Sequence, residues 1–260
     1  WMMNNTDNAM VDTDHTLKRL HRLADACAYN FGEAARGGDE FLGTGADLEP
    51  STLLHAYRSG VFPWFAADEP ICWWSPKERC VMVPSAFKPS KSLMRTAKKQ
   101  SWTITINQAF RQVISACSQP RSYTDDTWIH AEMIAAYDQL HQLSAASSIE
   151  VWAGSPHTSE LIGGLYGVNI GAIFCGESMF HRKTDASKIA FWALMYFAKR
   201  TGIELIDCQM PNSHLLSLGA DTMPKAKFLD MLACLVTTPC IGINGARQPI
   251  TTQALLIDDI

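Results

Sequence analysis

In the stretch CGESMFHRKTDASK (175–188), an apolar run, IGAIFCG, ends in a carboxylate, Glu177, with Phe174, Met179 and Phe180 close by in sequence. Further on, IELIDCQ (203–209) ends a second apolar run in polar groups. Strand alternation puts Leu205, Asp207 and Gln209 on one face of it, and Ile206 and Cys208 on the other. If the two strand ends meet, Glu177 and Asp207 share a small site beside apolar side chains. Two carboxylates that close need a cation, or one of them takes up a proton. Such a site suits a cationic group next to the acids and an apolar group next to Met179. Plainer readings stand beside this one. Asp207 and Gln209 can cap the following turn, and Glu177 can pair on the surface with Arg182 or Lys183, a contact worth little. GESMF fails the G-x-S-x-G nucleophile elbow, because Phe180 stands where the last glycine belongs, and no spacing ties a His or Asp to Ser178. The histidines show no H-E-x-x-H or other ligand spacing, so no metal site is expected.

The elements that must position these groups follow from periodicity. IEVWAG, ELIGGLYGVNIG and AIFCGESMF read as an antiparallel meander of strands with glycine turns. DASKIAFWALMYFAKRTG then reads as an apolar helix, with Asp185 as its N-cap and Gly202 at its stop. IELIDCQ is a further strand, followed by short helical pieces around 212–219 and 224–236. Upstream, ERCVMVPSAF and WTITINQAF predict strands, while KSLMRTAKKQ, FRQVISACS and HAEMIAAYDQLHQL predict helices. Residues 16–36 predict a helix or two. In 47–60, Pro50 and Ser51 start a helix whose Leu53, Leu54 and Tyr57 share a face, and Gly60 ends it. VFPWFAADEPICWWSP (61–76) has three prolines and cannot be a regular helix; an aromatic-rich loop with a short strand is expected.

The 260 residues suffice for one large or two modest domains. A net charge of −4 gives no global attraction to nucleic acid, so any RNA contact needs a local patch. Arg95, Lys98 and Lys99, with Lys88 and Lys91 nearby, form the one basic cluster, a pattern also common on plain solvated faces. Trp64, Trp73, Trp74 and Trp128 fall in loop-like stretches, where an indole can stack a base or close a core. Eight cysteines without C-x-x-C pairs suggest reduced thiols, and no run is long enough for a membrane span. The polar start (1–15) is expected to be a disordered arm or an expression remnant. The expected fold class is α+β: a small N-terminal domain over 16–76, and a larger domain over 77–260 whose element order suits an N-acetyltransferase-like fold.

Several stretches, in order, resemble the bacterial leucyl/phenylalanyl-tRNA–protein transferases. They are GADLEPSTLLHAYRSGVFPWF (45–65), WWSP (73–76), TWI (127–129), IEVW (149–152), GGLYGV (163–168), FCGESMF (174–180), ASK (186–188), LIDCQ (205–209) and SLGA (217–220). The resemblance implies transfer of Leu or Phe from charged tRNA to the α-amine of proteins beginning with Arg or Lys, marking them for N-degron proteolysis. It implies no cofactor, a cytoplasmic monomer, and these roles. Leu165, Phe174, Met179 and Ile206 would line the pocket for the aminoacyl side chain, with Phe191, Leu194 and Ser178 also at the substrate. Glu177 and Asp207 would face the cationic acceptor. Gln209, its amide oriented by Asp207, would sit at the reacting amine. Trp64 and Trp128 would hold the terminal adenosine, and Arg95, Lys98 and Lys99 the tRNA backbone. This chain departs from the pattern at Phe191 and Leu194, an exchange of Leu and Phe that conserves volume, and at Met94, where a basic residue is usual. The final stretch (237–260) matches poorly and is given no role. Competing readings are an acetyl-CoA-dependent N-acetyltransferase, whose Gly-rich phosphate loop is missing, and a non-catalytic RNA-binding protein, which would leave positions 177, 207 and 209 without purpose.

Overall fold

The computed structural model describes residues 5–119, 127–246 and 248–257, with side chains from residue 14 onward. Helices α1 (Asn5–Asp25) and α2 (Phe31–Arg36) lead to strand β1 (Phe41–Thr44), helix α3 (Pro50–Arg58) and strands β2 (Phe62–Pro63) and β3 (Cys72–Trp74). Helix α1 thus begins inside the stretch expected to be an arm, and the aromatic loop holds two short strands rather than one. Strands β1, β3 and β2, in that order, form a small antiparallel sheet. There follow β4 (Glu78–Met82), α4 (Lys91–Lys99), β5 (Thr103–Ile106), α5 (Phe110–Cys117), α6 (Ala131–Gln142), β6 (Ala146–Trp152), β7 (Leu161–Ile170) and β8 (Ile173–His181). The chain continues through α7 (Ala186–Thr201), β9 (Leu205–Gln209), α8 (Ser213–Ser217), β10 (Asp221–Pro224), α9 (Lys225–Leu235) and β11 (Ile250–Thr251). The large sheet runs β10-β4-β9-β8-β7-β6-β5-β11. Among the described residues, its β8–β9 pair is parallel and its other pairs are antiparallel. The expected boundary at 76/77 falls between the two sheets.

Each face of the large sheet carries a core. One contains Tyr57, Phe62, Met133, Tyr137 and Phe228, so the N-terminal helices, α6 and α9 share a single apolar layer. The other is organised by α7. That helix is buried on nearly every side, which explains why its sequence is apolar all round rather than amphipathic. Asp185 precedes it in the left-handed region at φ +67°, and its side chain caps nothing. The carboxylate instead accepts from Thr96 Oγ1 at 2.9 Å and Lys188 Nζ at 3.1 Å, which ties α4 to the start of α7. Helix α3 follows the sequence reading: Pro50 occupies its first turn and Leu53, Leu54 and Tyr57 are buried.

Strands β8 and β9 pair only over Ile173–Cys175 against Leu205–Asp207. Beyond that point each carries a bulge. Gly176 and Ser178 face the consecutive residues Gly167 and Tyr166, leaving Glu177 as the extra residue of β8. Asp207 and Gln209 face Val81 and Cys80, leaving Cys208 as the extra residue of β9. Bulges bend a strand and re-aim its side chains, and two of them on adjacent strands open the sheet. Gly167 is required opposite the first: a Cβ there would lie 2.2 Å from the carbonyl oxygen of Cys175.

The last stretch has a structural place that its sequence did not disclose. Strand β11 pairs with β5 at the sheet edge, Asn244 hydrogen-bonds Asn107 and Ser147, and the Gln248 amide accepts from Ile106 N–H and donates to its carbonyl. Covering an edge strand in this way satisfies backbone groups that would otherwise offer themselves to another chain. The acidic end at 258–260 lies outside the described residues, as do residues 1–4 of the expected arm. No helix among the described residues is long and apolar enough to cross a membrane.

Candidate active site

Where β8 and β9 part, a cavity of about 1050 Å³ opens. It draws residues from both cores. Leu165, Met179, Phe191, Leu194 and Ile206 form an apolar wall on the α7 side; Trp64, Trp128 and Tyr166 line it from the other side. Glu177, Ser178 and Gln209 also line the cavity. The Phe191 ring meets Phe87 edge-on at 5.8 Å, so the exchanged Phe191 is braced from behind while Leu194 faces the same space. Phe174 is the exception among the expected pocket residues. It is fully buried in the α7-side core, under Gly167, and lines no part of the cavity. It lies before the bulge, where β8 is still paired on both sides, so its alternation carries it inward.

Glu177 is enclosed by donors. Its Oε1 accepts from Tyr57 Oη at 2.7 Å and from the Gln209 amide nitrogen at 2.8 Å, and its Oε2 accepts from Tyr137 Oη at 3.1 Å. The two phenols also contact each other. Burial, and then the neighbouring Glu177 charge, hold both phenols well above their ordinary range, so each keeps its proton. Three close oxygen pairs share only two phenolic protons, and a third proton is supplied if the carboxyl itself is protonated. Burial pushes Glu177 up to about 7, against the hydrogen bonds of the two tyrosines. At neutral pH the group therefore stands between its two forms. It pairs with neither Arg182 nor Lys183.

Asp207 is arranged differently from the sequence reading. It is fully buried and faces away from the cavity, where Arg79 holds it with Nε at 2.8 Å and Nη2 at 2.6 Å. The guanidinium lies between the rings of Phe62 and Phe228, with centroids at 5.1 Å and 4.5 Å, and Nη1 donates to the carbonyl of Gly60. Gly60 permits this: its φ is +74°, and a Cβ would lie 2.5 Å from Leu229. The cation that two neighbouring carboxylates require is thus supplied from within the protein. Asp207 does not orient the Gln209 amide either. It accepts the backbone N–H of Gln209 at 2.9 Å, which holds that residue at φ +63°, a strained value for a non-glycine. Glu177 orients the amide. With the amide nitrogen turned to Glu177, the carbonyl oxygen is left as the acceptor in the cavity.

Arg79, Tyr57 and Tyr137 were not singled out in the sequence. A signal existed for each. Arg79 shares a strand face with Val81, a charge on an apolar face, and both tyrosines lie on the buried stripes of α3 and α6, where a phenol needs a partner. The Tyr166 hydroxyl, on the cavity wall, has no protein partner among the described residues.

Trp64 is 41% exposed at the cavity and meets Trp74 edge-on at 5.9 Å, whose indole nitrogen donates to the Trp64 carbonyl. Trp73 instead closes the core beside Phe31. Arg95, Lys98 and Lys99 are exposed on α4, and no salt bridge among the described residues involves them. Met94 packs partly buried on the α7-side core, so it is not a position offered to solvent. None of the eight cysteines forms a disulfide, and among the described residues no group of three or more potential ligands is placed to hold a metal ion.

The family model described as leucyl/phenylalanyl-tRNA protein transferase matches residues 81–233, and that of the corresponding N-terminal domain matches residues 46–77. A leucyl/phenylalanyl-tRNA–protein transferase of Psychrobacter arcticus is 49% identical over 90% of this chain and 88% of its own. One from Shewanella pealeana is 52% identical over 75% of this chain and 80% of its own. Among solved structures, FemX aligns over 67% of this chain and 66% of its own at 10% identity, with a TM-score of 0.45, too low to place the fold. The two family matches run on either side of the boundary between the sheets and, with relatives at this identity over this coverage, they decide the assignment: the chain belongs to the leucyl/phenylalanyl-tRNA protein transferase family.

Proposed function

We propose that this protein transfers leucine or phenylalanine from charged tRNA to the α-amine of proteins that begin with Arg or Lys, tagging them for N-degron proteolysis. The observation that carries the reading is one cavity in which an apolar wall, a carboxylate and the amide of Gln209 meet. Leu165, Met179, Phe191, Leu194 and Ile206 receive the aminoacyl side chain. Such a wall discriminates by about 1–3 kcal/mol per methylene. Glu177 meets the cationic side chain of the acceptor. With Asp207 neutralised by Arg79, its charge is the one left to do so, and a bound cation draws its proton off. Trp64 and Trp128 flank the terminal adenosine. The larger domain works as an N-acetyltransferase-like fold, as a monomer in the cytoplasm, where charged tRNA is made, and without a cofactor.

The donor ester is already activated, so no covalent enzyme intermediate is needed. The amine nitrogen bonds to the ester carbonyl carbon, the bond from that carbon to the ribose oxygen breaks, and the amine proton passes to the ribose oxygen. An α-amine with an ordinary pKa of about 7.7–8.0 is already roughly one-tenth neutral near pH 7. Deprotonation is therefore a small part of the barrier, whereas positioning can contribute up to roughly 7–11 kcal/mol. Gln209 supplies it: its carbonyl accepts an amine N–H and aims the lone pair at the ester.

Incubation with Leu- or Phe-charged tRNA and an Arg-initiated peptide tests the reading. The peptide should gain the mass of one Leu or Phe residue at its N-terminus. No gain, or a gain at an internal lysine, would contradict it. If α4 carries the tRNA backbone, replacing Arg95 and Lys98 together by Gln should flatten the slope of log affinity against log salt by about one to two units. An unchanged slope would move the tRNA surface elsewhere.

A further inference from the structure

Arg182 lines the same cavity, yet none of the chemistry above uses it. It is exposed, one residue beyond the end of β8. Its Nη1 donates to the carbonyl of Leu161 at 2.9 Å, and its guanidinium lies over the ring of Phe180, 5.6 Å from the centroid. No salt bridge among the described residues includes it. Glu177, the nearest acid in sequence on that strand, makes no ion pair with it. Arg182 is thus a cation held by a carbonyl and a ring, with no ion-pair partner among the described residues. Its remaining N–H donors keep the fork geometry that matches the two free oxygens of a phosphodiester.

We infer that Arg182 is a phosphate-binding subsite, and that it holds the phosphodiester of the donor's terminal nucleotide. This rests on the transfer reading. The donor's ester lies at Gln209 and its adenosine at Trp64 and Trp128, so the first backbone phosphate is one nucleoside away from the chemistry. The Thr96–Asp185 hydrogen bond, at 2.9 Å, joins α4 to the segment three residues beyond Arg182. The exposed Arg95, Lys98 and Lys99 therefore belong to the same flank of the molecule as Arg182 and the exposed Lys183. A polyanion following α4 meets Arg182 where it enters the cavity. This continuity of positive charge favours an RNA phosphate over a carboxylate of the acceptor peptide.

The test uses leucyl-adenosine donors with and without a 5′-phosphate, alongside charged tRNA, at a fixed Arg-initiated acceptor. The wild-type protein should use the phosphorylated donor about tenfold better, through KM rather than kcat. In Arg182→Gln that advantage should fall to about onefold, and KM for charged tRNA should rise by a similar factor. Arg182→Lys should retain part of the advantage, as a point charge without the fork. The inference is overturned if the wild-type protein shows no preference for the phosphate, or if Arg182→Gln keeps it. A loss confined to the acceptor's KM also overturns it, by assigning Arg182 to the peptide. Inactivity of the wild-type protein on every donor would instead sink the transfer reading, which is a separate failure.

Discussion

Arg79→Met lowers the unfolding free energy by about 3–5 kcal/mol, because it leaves the Asp207 carboxylate in the interior with no cation beside it. The pair is closed on both sides: the carboxylate is fully buried, and the guanidinium sits between Phe62 and Phe228 with its last contact on Gly60. Both side chains are almost wholly buried, so the lost charge is not replaced by solvation. The double variant Arg79→Met/Asp207→Leu should recover most of the loss, since a buried ion pair is often replaceable by apolar groups of similar volume. Denaturant unfolding of the two single variants and the double gives the coupling directly. A single-variant loss below about 1 kcal/mol would mean that the pair is hydrated and that Asp207 is not fixed as described. The double variant should still be a poor enzyme despite its stability, because the hydrogen bond from the Gln209 backbone to Asp207 is gone.

Gln209→Ala should reduce kcat by about 100-fold while raising KM for the acceptor far less, the pattern of a group that orients the reacting atoms. Gln209→Glu should not restore the rate. A carboxylate at 209 would lie beside Glu177, where the amide now donates at 2.8 Å, and like charges at that distance force a proton onto one of them. The arrangement would lose the aimed acceptor without gaining a free base. A rate with Glu at 209 that matches or exceeds wild type would show that a true general base is what the step requires.

Much of this architecture was legible in the chain. The meander, the long apolar helix and the IELIDCQ strand follow from simple periods, and Glu177 and Gln209 do stand together. On the two central strands one cause recurs: a strand period cannot show a bulge. Unbroken alternation would set Phe174 and Met179 on opposite faces; the extra residue at 177 brings both to the α7 side, Phe174 deep in the core and Met179 in the cavity wall. The extra residue at 208 likewise lets Asp207 stay buried while Gln209 reaches the cavity. Arg79 was missed for a different reason. Its partner lies 128 positions away, and only the pairing of β4 with β9 brings them together. Asp185 has the residue type of a cap, yet its left-handed backbone and its contacts with Thr96 and Lys188 use the side chain elsewhere. The role of the last stretch was illegible because strand β11 is two residues long and depends wholly on the edge it covers.

The central claim is that one unneutralised carboxylate, Glu177, reads the charge of the acceptor beside an apolar donor wall. Transfer rates to peptides beginning with arginine or with citrulline, its neutral isostere, test this most directly, because the α-amine is the same in both. The wild-type protein should prefer arginine by about tenfold or more, with the preference growing as pH rises through about 7, where Glu177 loses its proton. In Glu177→Gln the preference should collapse and lose its pH dependence. If Glu177→Gln still favours arginine over citrulline by the wild-type ratio, another group reads the acceptor and the assignment of this site is wrong.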